Sequence, residues 1–549
     1  MSTTFPEPKT TSVGHLIVAQ LERAGVERVY AVPGESYLDV LDGLHDSSIT
    51  TVVARHEGGA GFMALAEGRL SEVPGVAMVT RGPGAANAFI AVHTAYQDAT
   101  PLVLFVGLIP RADRGRESFQ EFDLTGWFGS TAKKVITLDH AETAAEVVAD
   151  ALHTAAAGRP GPVVVGLPED LLVEPVSSQA VPPRTVAAPG PSPDDLAELT
   201  QRLREAQRPL LVVGGEGWDQ SSGEALVRWA ASAGVPVAAD FRAYDAVPHI
   251  LEGGNSYIGS LGYGRSDELA ARYDAADLLI FVGCARTDVL SDGYTKGLQA
   301  ETVLVLPGDP LGHFGRIDQH IVAGVREFAR ALGIVPASTS ADPAWLIEGR
   351  QAYLAYTSPR PDGGAGADMG LCMEVLQREL NDDAVITYGA GNHALWAARY
   401  LQHTTADSLA APRNGAMGMG VPAAVAAALR FPGRQVLAVE GDGDFGMNGQ
   451  EFATAVGYDC PIIVLVVDNQ CFATIREHQE LHYPERPSGT HLTNPDYAQW
   501  ARAHGGHGER VERTEDFEEA FRRAAASGRP SIIHLLQDPR TRSPRTASD

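Results

Sequence analysis

Cysteine is scarce in this 549-residue chain, and the four that occur, Cys284, Cys372, Cys460 and Cys471, never fall into a C-x-x-C spacing. Neither a disulfide framework nor a thiolate zinc site is indicated, and these residues read as mostly buried small hydrophobes. Apolar runs of the ~18 residues that a membrane helix needs are missing as well. The opening MSTTFPEPKTTSVG has no apolar core of the kind a secretory leader carries, so the expectation is a soluble protein of the cytoplasm. Basic charge is in deficit: 43 Lys and Arg face 69 Asp and Glu, a net charge of −26, and no Lys/Arg-rich run offsets it locally. Such a surface repels nucleic-acid phosphates and acidic lipid, which leaves small molecules as the expected partners, with no nucleic acid and no membrane.

Against these absences stand length and pattern. A chain of 549 residues is too long for one hydrophobic core and sets an expectation of three domains. Stretches rich in Pro, Ser and Ala, EPVSSQAVPPRTVAAPGPSPDD (174–195) and PASTSADP (336–343) with SPRPDGGAGAD (358–368), read as linkers. They divide the sequence into an N-terminal domain over 1–180, a middle domain over 190–345 and a C-terminal domain over 355–549. In each, short apolar runs alternate with helical stretches: VERVYAVPG, GVAMVTRG, PLVLFVG and PVVVGLP in the first; PLLVVGGEG, ADLLIFVG and TVLVLPGD in the second; AVITYGAG, QVLAVEGDG, PIIVLVVDNQ and PSIIHLL in the third. Continuous apolar strands ending in Gly-rich turns predict an α/β fold of three doubly wound parallel-sheet domains, with ligands gathering at the carboxyl ends of the strands.

The stretch VEGDGDFGMNGQEF (439–452) carries G-x-G-x-x-G at Gly441, Gly443 and Gly446, the spacing of a dinucleotide pyrophosphate turn. Asp442 between the first two glycines argues against that reading, because a carboxylate facing a diphosphate in a half-buried turn is strongly repelled. A divalent cation between them removes the conflict, since Mg²⁺ takes oxygen ligands and is commonly shared between side chains and phosphates. Further oxygens are then expected at the end of a neighbouring strand. PIIVLVVDNQC (461–471) supplies them, ending in Asp468, Asn469, Gln470 and Cys471.

G-D-G followed one helix and one strand later by Asn resembles the signature of the thiamine-diphosphate-dependent enzymes. The resemblance covers residues 12–538 and is closest to the acetolactate synthase and benzoylformate decarboxylase group. It implies that Asp442, Asn469 and the backbone carbonyl of Cys471 bind a Mg²⁺ that holds thiamine diphosphate (ThDP), with Gly441, Gly443, Asp444, Ala473, Thr474 and Ile475 beside the cofactor. TYGAGNHALW (387–396) is similar to a nest for the diphosphate, placing Gly391, Asn392 and His393 in contact. RNGAMGMGVPAAVAAAL (413–429) is similar to the segment whose bulky residue, here Met417 after Gly415, wedges the cofactor into a bent form.

In the N-terminal domain, VARHEGGAGFMALAEGRL resembles the family's R-H-E-x-x-A setting and makes Glu57 the catalytic glutamate. VTRGPGAANA (79–88) and DATPLVLFVG (98–107) resemble further segments of the group, and ESFQEFDL (117–124) is similar to the stretch that brings Phe119 and Gln120 toward substrate. The family chemistry then runs as follows. Glu57 protonates the far nitrogen of the aminopyrimidine, the imino tautomer deprotonates thiazolium C2, and the ylide adds to a 2-oxo acid; CO₂ leaves an enamine that attacks a second carbonyl or is protonated. A glutamate buried beside that ring is expected to have a raised pKa.

The pattern bends at three places: Asp444 stands where Ser or Ala is usual, Asp468 where an Asn is common, and Ala473 where a glycine is. Asp444 is expected to cap backbone N–H groups at the helix start rather than face the diphosphate. In VPGESYLDV (32–40), Glu35 and Ser36 occupy a substrate-facing position, as a proton relay or, for Glu35, as an exposed helix N-cap. The absence of a His-His pair after PLVLFVG favours carboligation of a pyruvate-like acid over release of an aldehyde, the benzoylformate-type alternative. A weakly active ThDP-binding homologue and a nicotinamide dehydrogenase are the remaining readings. The middle domain, with GGEGWDQ and VGCARTDV, is only loosely like a flavin-binding one, so FAD is possible but not favoured. The family architecture implies a homodimer or homotetramer, because the two ends of ThDP are received by different subunits.

Overall fold

The computed structural model describes residues 11–337 and 339–544; the first ten residues, on which much of the leader reading rests, lie outside the described residues. Two compact units emerge, residues 1–187 and 188–549.

The first unit is built on a six-stranded sheet of β1 (Arg28–Ala31), β2 (Thr50–Val53), β3 (Gly75–Val79), β4 (Leu102–Leu108), β5 (Lys134–Thr137) and β6 (Pro162–Pro168). All pairings are parallel, in the order β2-β1-β3-β4-β6-β5. Every residue of β3, β4 and β6 is buried, as the runs GVAMV, LVLFVGL and PVVVGLP demand of strands covered on both faces. The helix Glu57–Arg69 is buried all round from Gly58 onward. Its small residues let it lie directly on the helix Pro83–Asp98, where a Cβ at Gly61 would reach within 2.5 Å of the Ala91 methyl. That packing fixes the direction in which Glu57 leaves the helix start.

The second unit holds two more six-stranded parallel sheets. The middle one comprises β7 (Pro209–Val213), β8 (Val237–Ala239), β9 (Tyr257–Ser260), β10 (Leu278–Val282), β11 (Glu301–Leu306) and β12 (Gln319–Val322), ordered β9-β8-β7-β10-β11-β12. The last comprises β13 (Val385–Thr387), β14 (Leu409–Ala410), β15 (Val436–Gly441), β16 (Ile463–Asp468), β17 (His507–Val511) and β18 (Ser531–Leu536), ordered β14-β13-β15-β16-β18-β17. One continuous hydrophobic cluster runs through both sheets. The three doubly wound parallel sheets expected from the sequence are present.

Residues 177–192 contain no helix or strand, and the helix Pro193–Glu205 after them opens with a Ser192–Asp195 capping box. The other two Pro- and Gly-rich stretches flank the helix Pro343–Thr357. This helix is tied to the middle sheet, Trp345 Nε1 donating to Pro209 O and Arg350 Nη1 to Tyr257 O. Among the described residues no helix is long and apolar enough to cross a membrane. Cys284, Cys372 and Cys460 are buried, Cys471 is half-buried, and all are free thiols.

Candidate active site

In the first unit, the turn after β3 gathers the candidate residues. Ser36, wholly buried, bonds Thr80 through the two hydroxyls at 2.9 Å, and a Cβ at Gly107 would collide with it. Arg81 reaches Glu35 with Nη2 at 2.8 Å and Glu169 with Nη1 at 2.5 Å. Gly82, at φ +53°, lies so close to Gln120 that a Cβ would come within 2.9 Å of its carbonyl oxygen. Gln120 itself is left-handed at φ +65°. Asn87 Nδ2 donates to Glu57 Oε2 at 2.9 Å, and a Cβ at Gly84 would sit 3.3 Å from Glu57 Oε1. Glu57, Gln120, Glu35 and Ser36 are therefore all placed by the one segment 80–87.

Glu57 is the first residue of its helix, behind His56, whose Nδ1 accepts the Gly58 N–H. It is half-buried rather than enclosed. Burial raises the Tyr37 phenol, and the Glu57 charge adds to that rise. Glu35 is not the N-cap that the sequence offered as one possibility. Gly34 caps the short 3₁₀ turn Glu35–Tyr37 without a side-chain bond, and the exposed Glu35 carboxylate is held by Arg81 instead. Next to this turn a cleft of about 200 Å³ is lined by Arg81, Arg114, Gln120, Phe122, Leu124 and Thr137. Phe119 stands 75% exposed beside Gln120.

In the second unit, the ends of β13, β15 and β16 converge. Asp442, 3% exposed, opens the helix Asp442–Asn448; its Oδ1 accepts the Gly443 N–H at 2.9 Å and its Oδ2 accepts from Asn494 Nδ2 at 2.7 Å. The same Asn494 Nδ2 donates to Asp468 Oδ1 at 2.8 Å. His534 Nδ1 accepts the Tyr497 N–H, so the proton sits on Nε2, which donates to Asp468 Oδ2 at 2.9 Å. Burial pushes the Asp442 carboxyl up to about 7, with Asp468 adding to the rise and Asn494 opposing it. Asp468, though buried, is held below its ordinary value by His534 and Asn494.

Asn469, also buried, accepts the Cys471 N–H on Oδ1 at 3.2 Å after a left-handed Gln470. Asn392 starts the helix Asn392–Tyr400 and accepts from Thr474 Oγ1 at 2.8 Å, which joins the 387–396 loop to the start of the helix Ala473–His482. Ala473 is buried and Ile475 is 54% exposed.

Asp444 does cap backbone N–H groups, but in neighbouring loops and not in its own helix. It accepts from Gly389 at 3.1 Å, Ala390 at 3.3 Å and Gly418 at 2.7 Å. His393 Nε2 lies 3.1 Å from Asp444 Oδ2, out of line for a good hydrogen bond. A Cβ at Gly391 or Gly441 would approach His393 Nδ1 to 2.8 or 2.7 Å, so both positions need glycine. Beneath them Glu440 is buried and pushed well above the carboxylate range, by burial first and by Asp444 second. The wedge candidate Met417 is half-buried between Gly415 and Gly418, and the Gly418 carbonyl accepts from Asn448 Nδ2 at 3.0 Å.

The residues fit both expected groups. Asp442 and Asn469 offer hard oxygens at adjacent strand ends, and a cation would relieve the raised Asp442 carboxyl. The buried Asn392 Nδ2 has no hydrogen-bond partner among the described residues and is suited to an anion. Sequence reasoning missed Asn494 and His534, which carry no motif, and Arg81 and Asn87, which stood in a quoted motif without an assigned role.

Comparison with known proteins agrees with this layout. Models of the thiamine pyrophosphate enzyme family match in chain order: the N-terminal TPP binding domain over residues 11–127, the central domain over 196–341 and the C-terminal TPP binding domain over 389–535. The acetolactate synthase large subunit of Mycobacterium tuberculosis is 31% identical over 544 residues, covering 95% of this chain and 87% of that protein. The acetolactate synthase isozyme 2 large subunit of Escherichia coli is 29% identical over 527 residues, 95% of each chain. A probable acetolactate synthase large subunit of Methanocaldococcus jannaschii is 28% identical over 546 residues, covering 95% of this chain and 91% of that one. With all three domain models in sequence and relatives aligned nearly end to end, the chain belongs to the thiamine-diphosphate-dependent enzymes as an acetolactate-synthase-like carboligase/lyase.

Proposed function

We propose that this enzyme decarboxylates a pyruvate-like 2-oxo acid and forms a carbon–carbon bond from it to a second carbonyl compound, with Mg²⁺ held by Asp442, Asn469 and the Cys471 carbonyl. The observation that carries the reading is that Asp442 and Asn469 follow the ends of two paired strands, β15 and β16, with Asn494 Nδ2 bridging the Asp442 and Asp468 carboxylates, in the domain matched by the C-terminal TPP binding model. ThDP, when bound, supplies the electron sink for the bond that breaks as CO₂ leaves. Asn392, Gly391 and His393 would receive its diphosphate, and Met417 would pack against it as the wedge. Glu57 exchanges a proton with the far nitrogen of the aminopyrimidine. Gln120, Ser36 and the Glu35–Arg81 pair face the substrate, where a carboxylate already tied to arginine acts in orientation before proton transfer. Mixed incubations of pyruvate and aryl 2-oxo acids, with CO₂ and carbon–carbon products measured together, test the reading. Acetohydroxy acid or acyloin in step with CO₂ is expected, whereas free aldehyde alone overturns it.

The working unit is a homodimer, or a homotetramer made of two such dimers, each site taking Glu57 from one subunit and Asp442 from its partner. A helix such as Ala473–His482, which buries only Ala473 and leaves Ile475 and Leu481 exposed, with the exposed Tyr483 next in the chain, suits a face that a partner covers. Mixing inactive Glu57→Gln and Asp442→Ala chains should restore up to about a quarter of wild-type activity, because half the dimers are mixed and each has one intact site. No recovery despite demonstrated exchange means that each chain builds its own site.

A further inference from the structure

The order of the middle sheet places its switch point between β7 and β10, the crevice where doubly wound sheets take dinucleotides. Here the backbones of the two strand ends meet closely. A Cβ at Gly215 would collide with the Gly283 carbonyl, and one at Gly283 with the Gly214 carbonyl. Above this contact lies an arginine from the C-terminal domain: Arg413 Nη2 donates to Gly215 O at 3.0 Å and pairs with Glu216 Oε1 at 3.0 Å, with the two side chains 12% and 11% exposed. From the end of β8, Arg242 donates through Nη1 to Pro412 O at 2.6 Å and lies 5.3 Å over the Tyr388 ring. Asp245 Oδ2 accepts the Ser408 and Leu409 N–H groups, each at 3.1 Å. The segment 408–413 is thus pinned to the middle domain, and Gly418 is pinned on the other side by Asp444 and Asn448. Gly415, Ala416 and Met417 span the interval between the two sets of pins.

We propose that the middle domain's switch point is an anchor for the cofactor-wedge loop, with Arg413 and Glu216 as a positioning pair standing where a dinucleotide would bind. The inference rests on the wedge role given to Met417 above. A nearly buried ion pair four residues from the wedge removes the loop's freedom to swing away, so the cofactor meets a preformed stop instead of ordering one on binding. With Arg413 and Glu216 occupying this place, FAD or ADP would have to displace the pair to bind here.

Full-length protein with saturating Mg²⁺ tests this by ThDP titration, near-ultraviolet circular dichroism of the bound cofactor and steady-state kinetics. Arg413→Met should weaken ThDP about ten-fold, as loss of one charged hydrogen-bond partner implies, and reduce the dichroic band of the bent cofactor. Arg413→Lys, which keeps the charge opposite Glu216, should recover part of both. Met417→Ala separates the two readings: if it leaves affinity and dichroism unchanged, the wedge role is wrong. If it impairs them while Arg413→Met does not, the anchor is wrong. Should Arg413→Met fail to fold, Glu216→Gln carries the test, since lower ThDP affinity at unchanged melting temperature supports the anchor and unchanged affinity overturns it. Stoichiometric uptake of FAD or ADP by the wild-type chain likewise overturns it.

Discussion

The first and last sheets share one strand order, yet their switch points hold opposite kinds of chemistry. In the first, the residues after β1 meet the turn after β3 as Ser36 against Thr80 and Glu35 against Arg81, with Glu57 bound to Asn87 on the same segment. In the last, the residues after β13 meet the turn after β15 as the Gly389 and Ala390 N–H groups against Asp444, with Asp442 beside it tied to β16 through Asn494. One turn presents an arginine and amide donors that steady carboxylates, the other a cluster of carboxylates that calls for a cation. Topology dictates where a site forms in such a sheet; a few side chains in the turn and first helical residues after one strand set its charge.

The largest way to break the comparison is on the acidic side. Asp442→Ala should lower ThDP affinity in the presence of Mg²⁺ by more than the ~10–100-fold typical of outer partners of a metal, with activity lost in parallel. Titration calorimetry showing full affinity contradicts the metal assignment. On the proton-handling side, Glu57→Gln should leave ThDP affinity within a few-fold while slowing exchange of the cofactor's C2 proton by ~10²–10⁴, read by NMR after quenching in deuterated solvent. Similar losses of affinity in both variants would erase the division of labour.

Asn494→Ala comes next. It removes the amide that bridges Asp442 and Asp468 and leaves two buried carboxylates facing each other, so metal-supported ThDP binding should fall by ~10–100-fold. An unchanged value makes Asn494 a loop residue only.

The smallest effects are in stability against pH, with opposite signs in the two units. In the second, burial raises Asp407 to about 6; its contribution is present below the ordinary value of 3.8 and is lost as pH rises through 6. In the first, burial lowers Lys133 to about 8; its contribution is present above the ordinary 10.5 and is lost as pH falls through 8. Asp407→Asn should therefore flatten the melting-temperature profile between pH 4 and 6, and Lys133→Gln between pH 8 and 10.5, each by roughly a few degrees. Profiles parallel to wild type remove these groups from the account.

Much of this architecture is legible in the sequence, and the limit of legibility is physical. Most interior strands of the three sheets announce themselves as apolar runs because burial on both faces favours them; the buried Glu440 in β15 and His534 in β18 interrupt that pattern next to the candidate site. The edge strands, Thr50–Val53, Lys134–Thr137, Tyr257–Ser260, Gln319–Val322, Leu409–Ala410 and His507–Val511, do not, since one partner and partial cover permit mixed residues. Asp442 and Asn469 stand out as candidates in the sequence because an acid in a phosphate turn is a local conflict that a cation would relieve.

By itself the sequence determined the fold class and the cofactor family and nominated Glu57, Asp442 and Asn469 as candidates, since each rests on contiguous residues whose spacing survives without knowledge of the fold. Only the tertiary structure decided which groups those residues lean on. Asn494 and His534 reach Asp468 from distant parts of the chain, Asp444 spends its oxygens on two other loops, and Arg413 docks on Gly215 and Glu216 of a different domain. Such partners are single polar residues in loops, whose own neighbours in sequence carry no trace of the contact; packing of the sheets brings them together, and burial then makes each bond costly to lose.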